Sequence, residues 1–192
     1  MHPMRAEIDR LGMIAMAYLE NKKYADCESI VCQILRHNPQ NINALQLYGY
    51  LLSVRGELTK ALEIFSKIEK KIPNDIGNLM NLGKCCYELQ KYIQAIEVYQ
   101  KIIKINPNMP DVLIDAGNAQ KKIGNFTEAL NYYDLALLRG ANSHDILLNK
   151  ANVLLQMGSI EEAKNFCEIL IDKKTQDVKV LVTYGNILAE MS

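Results

Sequence analysis

Residues 79–107 read LMNLGKCCYELQKYIQAIEVYQKIIKINP, and the spacing inside this stretch recurs along the whole chain. A leucine stands at Leu11, Leu45, Leu79, Leu113, Leu147 and Leu181, evenly spaced with no insertion or deletion. Four residues after each leucine comes a very small residue: Ala15, Gly49, Gly83, Gly117, Ala151 and Gly185. Sixteen after the first five leucines stand Cys27, Ala61, Ala95, Ala129 and Ala163, and twenty after them Val31, Phe65, Tyr99, Tyr133 and Cys167. Pro39, Pro73 and Pro107 close three of the blocks. Self-similarity at a fixed period of this size is the mark of a stacked-repeat architecture.

The pattern resembles that of the tetratricopeptide repeat, a 34-residue helix–turn–helix unit. The resemblance runs from about residue 8 to residue 192, in blocks 8–41, 42–75, 76–109, 110–143 and 144–177 and a partial block 178–192. Leucine replaces the signature's tryptophan throughout, Ile14-Ala15 replaces Leu-Gly in the first block, and the fourth and fifth blocks, ending at Ala141 and Thr175, lack the closing proline. The resemblance implies an all-α fold: a right-handed alpha-alpha superhelix of paired antiparallel helices, forming a single array over residues 1–192 with five full repeats and one extra helix.

The spacing has a physical reason. In the third block Leu79, Leu82, Gly83 and Cys86 fall on one helical face. The absent side chain at Gly83 would let a second helix approach closely, with Ala95 shallow opposite it and Tyr99 and Ile102 filling the space beyond. No block buries such a face alone, so stacking must supply the core.

Composition limits the partners. Lys and Arg total 22 against 22 Asp and Glu, which argues against a general affinity for nucleic acid or anionic membrane. The cysteines at 27, 32, 85, 86 and 167 fall on expected helices, mostly in packing slots, and lack the spacing of a disulfide framework. The start, MHPMRAEIDRLGMIAMAYLE, has acidic residues where a signal peptide needs an apolar run, and no stretch suits membrane insertion. A reduced, cytoplasmic setting is expected.

Helices are expected over 8–21, 24–38, 42–55, 58–72, 76–89, 92–106, 110–123, 126–139, 144–157, 160–173 and 178–191, after a short lead in which Pro3 is a start signal. Asn125…Glu128 and Ser159…Glu162 are related to the capping box, and Gly140 can end a helix where proline is missing. Nothing points to catalysis. His2, His37 and His144 are far apart and form no metal-ligand pair, so neither metal nor cofactor is expected. Cys85 and Cys86 diverge by about 100° on one helix, so one should pack and the other lie nearer the surface. Gly77 to Gly83-Lys84 is one residue too long for a phosphate loop, and Cys85 replaces its hydroxyl residue. Asn125-Phe126-Thr127 matches a glycosylation sequon and reads as a helix start.

In repeats of this family the first helices line a concave wall where extended peptides bind. Asn118, Asn152 and Asn186 directly follow the small residue there, and Asn81 and Asn149 precede it by two. Asparagine is a mediocre helix former, and its amide matches the backbone groups of an extended peptide whatever the side chains. The ladder resembles the repeat arm of O-linked N-acetylglucosamine transferase, in which groove asparagines hold the substrate's main chain. A peptide clamp and ordinary asparagine usage in these repeats both account for it. Lys84, Tyr87 and Lys121 complete the expected peptide-binding groove. Met80, Ile114, Leu148 and Val182 flank it, either as ligand contacts or as packing between neighbouring first helices. The carboxylate clamp of chaperone-binding relatives is disfavoured, because Gly12, Gln46, Met80, Ile114 and Leu148 hold the place of its first lysine.

The expected function is a noncatalytic scaffold that binds a protein or peptide partner in its groove. The alternatives are a substrate-presenting arm of a larger enzyme, such as a glycosyltransferase, and a self-assembling scaffold. The helix at 178–191 carries Leu181, Val182 and Leu188 where a capping helix would be polar, so the chain is expected to continue or two copies to meet as a homodimer through this helix.

Overall fold

The computed structural model describes residues 3–172 and 177–191. Among these, eleven helices follow in order: α1 (Pro3–Glu20), α2 (Tyr24–His37), α3 (Ile42–Val54), α4 (Leu58–Lys71), α5 (Ile76–Glu88), α6 (Tyr92–Ile105), α7 (Pro110–Lys122), α8 (Phe126–Leu138), α9 (Ser143–Gln156), α10 (Ile160–Asp172) and α11 (Val178–Glu190). No strand occurs among the described residues. The helix starts agree with the repeat pattern except at α1, which begins at Pro3 rather than at residue 8, and at α9, which begins one residue early at Ser143. Proline is compatible with a helix's first turn, where its missing N–H has no partner to lose. The fifth block's expected end at Thr175 lies outside the described residues, as do His2 and Ser192.

One backbone device closes most of the helix pairs. Lys22, Gly56, Gln90, Gly124 and Gly158 have φ of 56°, 82°, 59°, 80° and 78°, and each lies one full repeat after the last. The residue following each donates its N–H five residues back, as Glu57 does to the Leu52 carbonyl at 2.9 Å and Asn125 to the Gln120 carbonyl at 3.0 Å. Orphan carbonyls at the helix end are satisfied this way. Gly140 ends α8 likewise, with φ 82° and a bond from the Ala141 N–H to the Ala136 carbonyl of 3.1 Å.

Helix starts use side chains. Asn41, Asp75, Asn142 and Asp177 cap α3, α5, α9 and α11 by accepting from backbone N–H groups. Asn125 does not cap α8 with its side chain; its amide instead donates to Gln120 Oε1 at 3.0 Å. The capping-box expectation therefore fails there, because the left-handed turn brings the Gln120 side chain within reach first.

The helices fall into two compact units, Met1–Lys91 and Tyr92–Ser192. In the first, α1 packs on α2 and α3 on α4, while α2 and α4 also touch the first helix that follows each. Leu11, Ala15, Cys27, Val31, Ile34, Ala44 and Leu51 form a continuous core there. Phe65 of α4 lies over Gly49 of α3 so closely that a Cβ on the glycine would come 2.7 Å from the ring. Asn78 is a polar residue in a slot filled elsewhere by Ala44, Val112, Ile146 and Val180. Its Nδ2 donates to the Phe65 carbonyl at 3.0 Å, and its Oδ1 has no partner among the described residues.

In the second unit α6 packs on α7, α7 on α8, α8 on α9, α9 on α10 and α10 on α11. Leu113, Ala129, Tyr133, Ala136, Ile146 and Val153 form one apolar cluster, and Ala151, Leu154, Ala163, Cys167 and Ile187 the next. Tyr133 crosses Gly117 as Phe65 crosses Gly49.

Cys85 and Cys86 are both buried, each 3 % exposed, contrary to the expectation that one would lie near the surface. A first helix packs on more than one neighbour, as α5 does on α4 and α3. Its buried face is therefore wide enough to take two adjacent residues, as it also does at Leu51-Leu52 and Val153-Leu154. Cys32 is half-buried, Cys27 and Cys167 are buried, and all five thiols are free. No described helix is long and apolar enough to cross a membrane.

Candidate functional site

In the second unit the exposed sides of α7, α9 and α11 line one cleft of about 660 Å³. Its walls are Ile114 and Asn118 from α7; Asp145, Leu148, Asn149 and Asn152 from α9; and Val178, Lys179, Val182 and Thr183 from α11. The constant repeat length explains the convergence, since Asn118 and Asn152 are equivalent positions, as are Ile114, Leu148 and Val182. Identical helical phase turns each set the same way.

The amides in this cleft are partly engaged from within. Asn118 Oδ1 accepts from the Tyr133 hydroxyl at 2.8 Å, Tyr133 being the ring seated on Gly117. Asn149 Oδ1 accepts from Lys121 Nζ at 3.0 Å, linking α7 to α9. Asn152 is used at both ends: Nδ2 donates to the Leu148 carbonyl at 2.9 Å, and Oδ1 accepts from Thr183 at 3.3 Å. The Nδ2 groups of Asn118 and Asn149 are without partners among the described residues. The cleft thus offers two amide donors between apolar walls, with Lys179 and Asp145 at its edge. Burial first, and then the neighbouring Lys122, pushes the Lys121 ammonium below the ordinary lysine value. This lysine acts as a strut between two helices.

The other expected site residues lie elsewhere. Asn186 is exposed on α11 and does not line the cleft. Asn81 lines a separate cleft of about 730 Å³ in the first unit, formed by α1, α3 and the start of α5. That wall is mainly apolar, with Ile8, Met13, Met16, Leu47 and Tyr50 beside Asp9 and Asn43. Lys84 is exposed on α5, and Tyr87 is half-buried on the same helix. Leu148 packs with Leu170 and Val180, whereas Val182 stays exposed. Leu148 therefore both packs and lines the cleft, whereas Val182 lines it from an exposed position. Lys179 was not among the residues expected at the site, whereas Thr183 holds the place of Asn149 in the next block and Asp145 was expected among the acidic groups that offset the groove's lysines.

Comparison with known proteins agrees with this architecture. A family profile described as anaphase-promoting complex, cyclosome, subunit 3 matches residues 20–102. A TPR repeat profile matches residues 83–124, and a tetratricopeptide repeat profile residues 114–177. No curated protein sequence matches significantly. Among solved structures, a tetratricopeptide repeat protein from Parabacteroides merdae superposes with a TM-score of 0.85 at 19% identity, covering 96% of this chain and 73% of its own. MamA from Desulfovibrio magneticus gives 0.81 at 15% identity, with 88% and 97% covered. PilF of Pseudomonas aeruginosa gives 0.77 at 16% identity, with 96% and 84% covered. The chain has the fold of tetratricopeptide-repeat proteins, an all-α fold of the alpha-alpha superhelix class. Such repeats generally build protein-interaction scaffolds.

Proposed function

We propose that this protein is a noncatalytic scaffold, and that the α7–α9–α11 cleft holds an extended segment of a partner protein. The observation that carries this reading is the pair of unpartnered amide donors, on Asn118 and Asn149, set between the apolar walls of Ile114 and Val182. An extended peptide presents carbonyl oxygens that such donors can hold whatever its side chains, while Lys179 and Asp145 favour a segment with charge of both signs. The five free thiols, four of them buried, support a reducing, cytoplasmic setting.

The test is a display library of unstructured peptides selected on the whole chain. Asn118→Asp with Asn149→Asp keeps an oxygen for Tyr133 and for Lys121 while removing both donors. At about 0.5–1.5 kcal/mol per hydrogen bond, the selected peptides should lose affinity several-fold or more. Selected peptides that hold the double variant as tightly as the parent would show that the ladder serves only helix packing.

A further inference from the structure

A third groove, of about 450 Å³, lies between α4 and the turn that follows α2, and none of its residues lines either cleft described above. Its floor is apolar: Pro39 from the turn, Leu45 from α3, and Ile64 and Ile68 from α4. Lys67, Lys70 and Lys71 stand exposed along its α4 edge. The opposite wall is held in place, because Asn38 Oδ1 accepts from the Gln40 N–H at 3.2 Å and Lys71 Nζ donates to Gln40 Oε1. None of the three lysines has an ion-pair partner among the described residues, Glu63 one turn before Lys67 included. The repeat itself does not require these charges. The same three places hold Lys101, Lys104 and Ile105 in the third block and Leu135, Leu138 and Arg139 in the fourth.

We propose that this groove takes a short, extended acidic segment of a partner protein, with one bulky apolar side chain on the floor and carboxylates against the lysines. Charge complementarity gives the sign of the occupant, since the rim is cationic and no carboxylate lines the groove. The recessed floor gives the rest. A bare phosphate would leave Leu45 and Ile64 facing water, and a membrane surface calls for apolar groups that project rather than recede. Lys67 and Lys71 are one turn apart, about 6 Å along the helix, close to the roughly 7 Å between alternate side chains of an extended chain. Carboxylates two residues apart can therefore meet both lysines, and Lys71 keeps two of its three donors beyond the one given to Gln40. The residue between them points the other way, across the groove toward Pro39 and Leu45, so the expected pattern is acid–apolar–acid. The groove shares no residue with the α7–α9–α11 cleft and lies in the other unit, so the two proposals can fail separately.

The probe is a library of short random peptides displayed on phage and selected on the whole chain, with the Lys67→Glu, Lys70→Glu double variant as counter-selection. Both side chains are exposed, so the change does not enter the core. Peptides held by the parent and lost by the variant should carry phenylalanine, leucine, isoleucine or methionine between two acidic residues. A labelled copy of such a peptide, followed by fluorescence anisotropy, should bind the parent saturably. Charge reversal in the chain and alanine at the peptide's apolar position should each weaken it by about tenfold or more, since a central anchor dominates such contacts. Higher salt should weaken it too, and Asn118→Asp with Asn149→Asp should leave it unchanged. A selection that yields no such pattern overturns the proposal. So does binding that survives alanine at the apolar position, which would mark contact by charge alone. A parent dimer in sedimentation that the charge-reversed variant dissociates overturns it as well, because the occupant would then be a second copy.

Discussion

The ring of Tyr133 occupies the space in which a side chain at Gly117 would begin: a Cβ there would stand 2.7 Å from Cε1, and 3.2 Å from the Ala129 carbonyl. Two helices of one repeat are thereby held at a separation that only glycine permits.

Opposite effects are expected at the two equivalent glycines. Gly117→Leu overfills a buried seam and should cost about 1–3 kcal/mol, more than the propensity gain returns. Gly185→Leu meets open space and should stabilise by roughly 0.5–1 kcal/mol, from helix propensity alone. Chemical denaturation of the two variants beside the parent decides the matter, and shifts of the same sign would mean that the two glycines have like surroundings, both filled or both open.

Lys22 and Gln90 sit in the left-handed region at the positions where Gly56, Gly124 and Gly158 stand in other blocks. A side chain there costs about 1–2 kcal/mol relative to the right-handed region, a penalty that glycine escapes. Lys22→Gly and Gln90→Gly should therefore each raise stability, by up to about 1 kcal/mol after the greater unfolded-state freedom of glycine is subtracted. Thermal melts that fall in both variants would contradict the backbone assignment.

Asp177 links two first helices. Its Oδ1 accepts from the Lys179 N–H at 2.8 Å, capping α11, and its Oδ2 is 3.0 Å from His144 Nε2 of α9. The His144 hydrogen bond first, and then the backbone bond, hold its carboxyl below the usual range. A lowered folded value means stabilisation that is complete above the ordinary aspartate value and lost as pH falls through the folded one. The stability difference between parent and Asp177→Asn should accordingly be largest near neutrality and shrink in acid. Melts from pH 7 down to about pH 2, spanning the carboxylate range, check this; a constant gap would remove Asp177 from the acid response.

Thiol chemistry should separate one cysteine from four. Burial raises the thiols of Cys27, Cys86 and Cys167, and with help from Cys86 and Glu88 it pushes Cys85 up to about 11. At pH 8 a group titrating near 11 is thiolate in about one molecule per thousand. A disulfide reagent should thus modify half-buried Cys32 first and reach the others only on unfolding. Rapid loss of two or more thiols from the native protein would show the core to be open.

The helices and their faces were legible because period and phase are sequence properties: leucine, glycine and alanine at fixed offsets define which sides meet. Side-chain partners were not, since they depend on distances across helices. Nothing in the sequence around Asn118 announces that its oxygen is taken by Tyr133, on the following helix, which leaves only its amide N–H groups unengaged. Asn152 looked equivalent to Asn118, yet Thr183 and the Leu148 carbonyl occupy it. Asn125 suited a cap and instead reaches Gln120. The burial of both Cys85 and Cys86 depends on how many neighbours α5 has, which a single helical wheel does not count.

The left-handed turn residue has an evolutionary corollary. Because it recurs once in every repeat, excising positions 125–158 would join Gly124 to Ser159, the residue that already follows a left-handed glycine at Gly158. Unequal recombination in the gene can therefore shorten or lengthen the protein by whole blocks without altering the phase of any remaining helix, whereas an indel inside a helix that is not a whole number of turns would rotate the rest of that helix out of alignment. A change in the number of blocks thus leaves the geometry of the unit itself untouched.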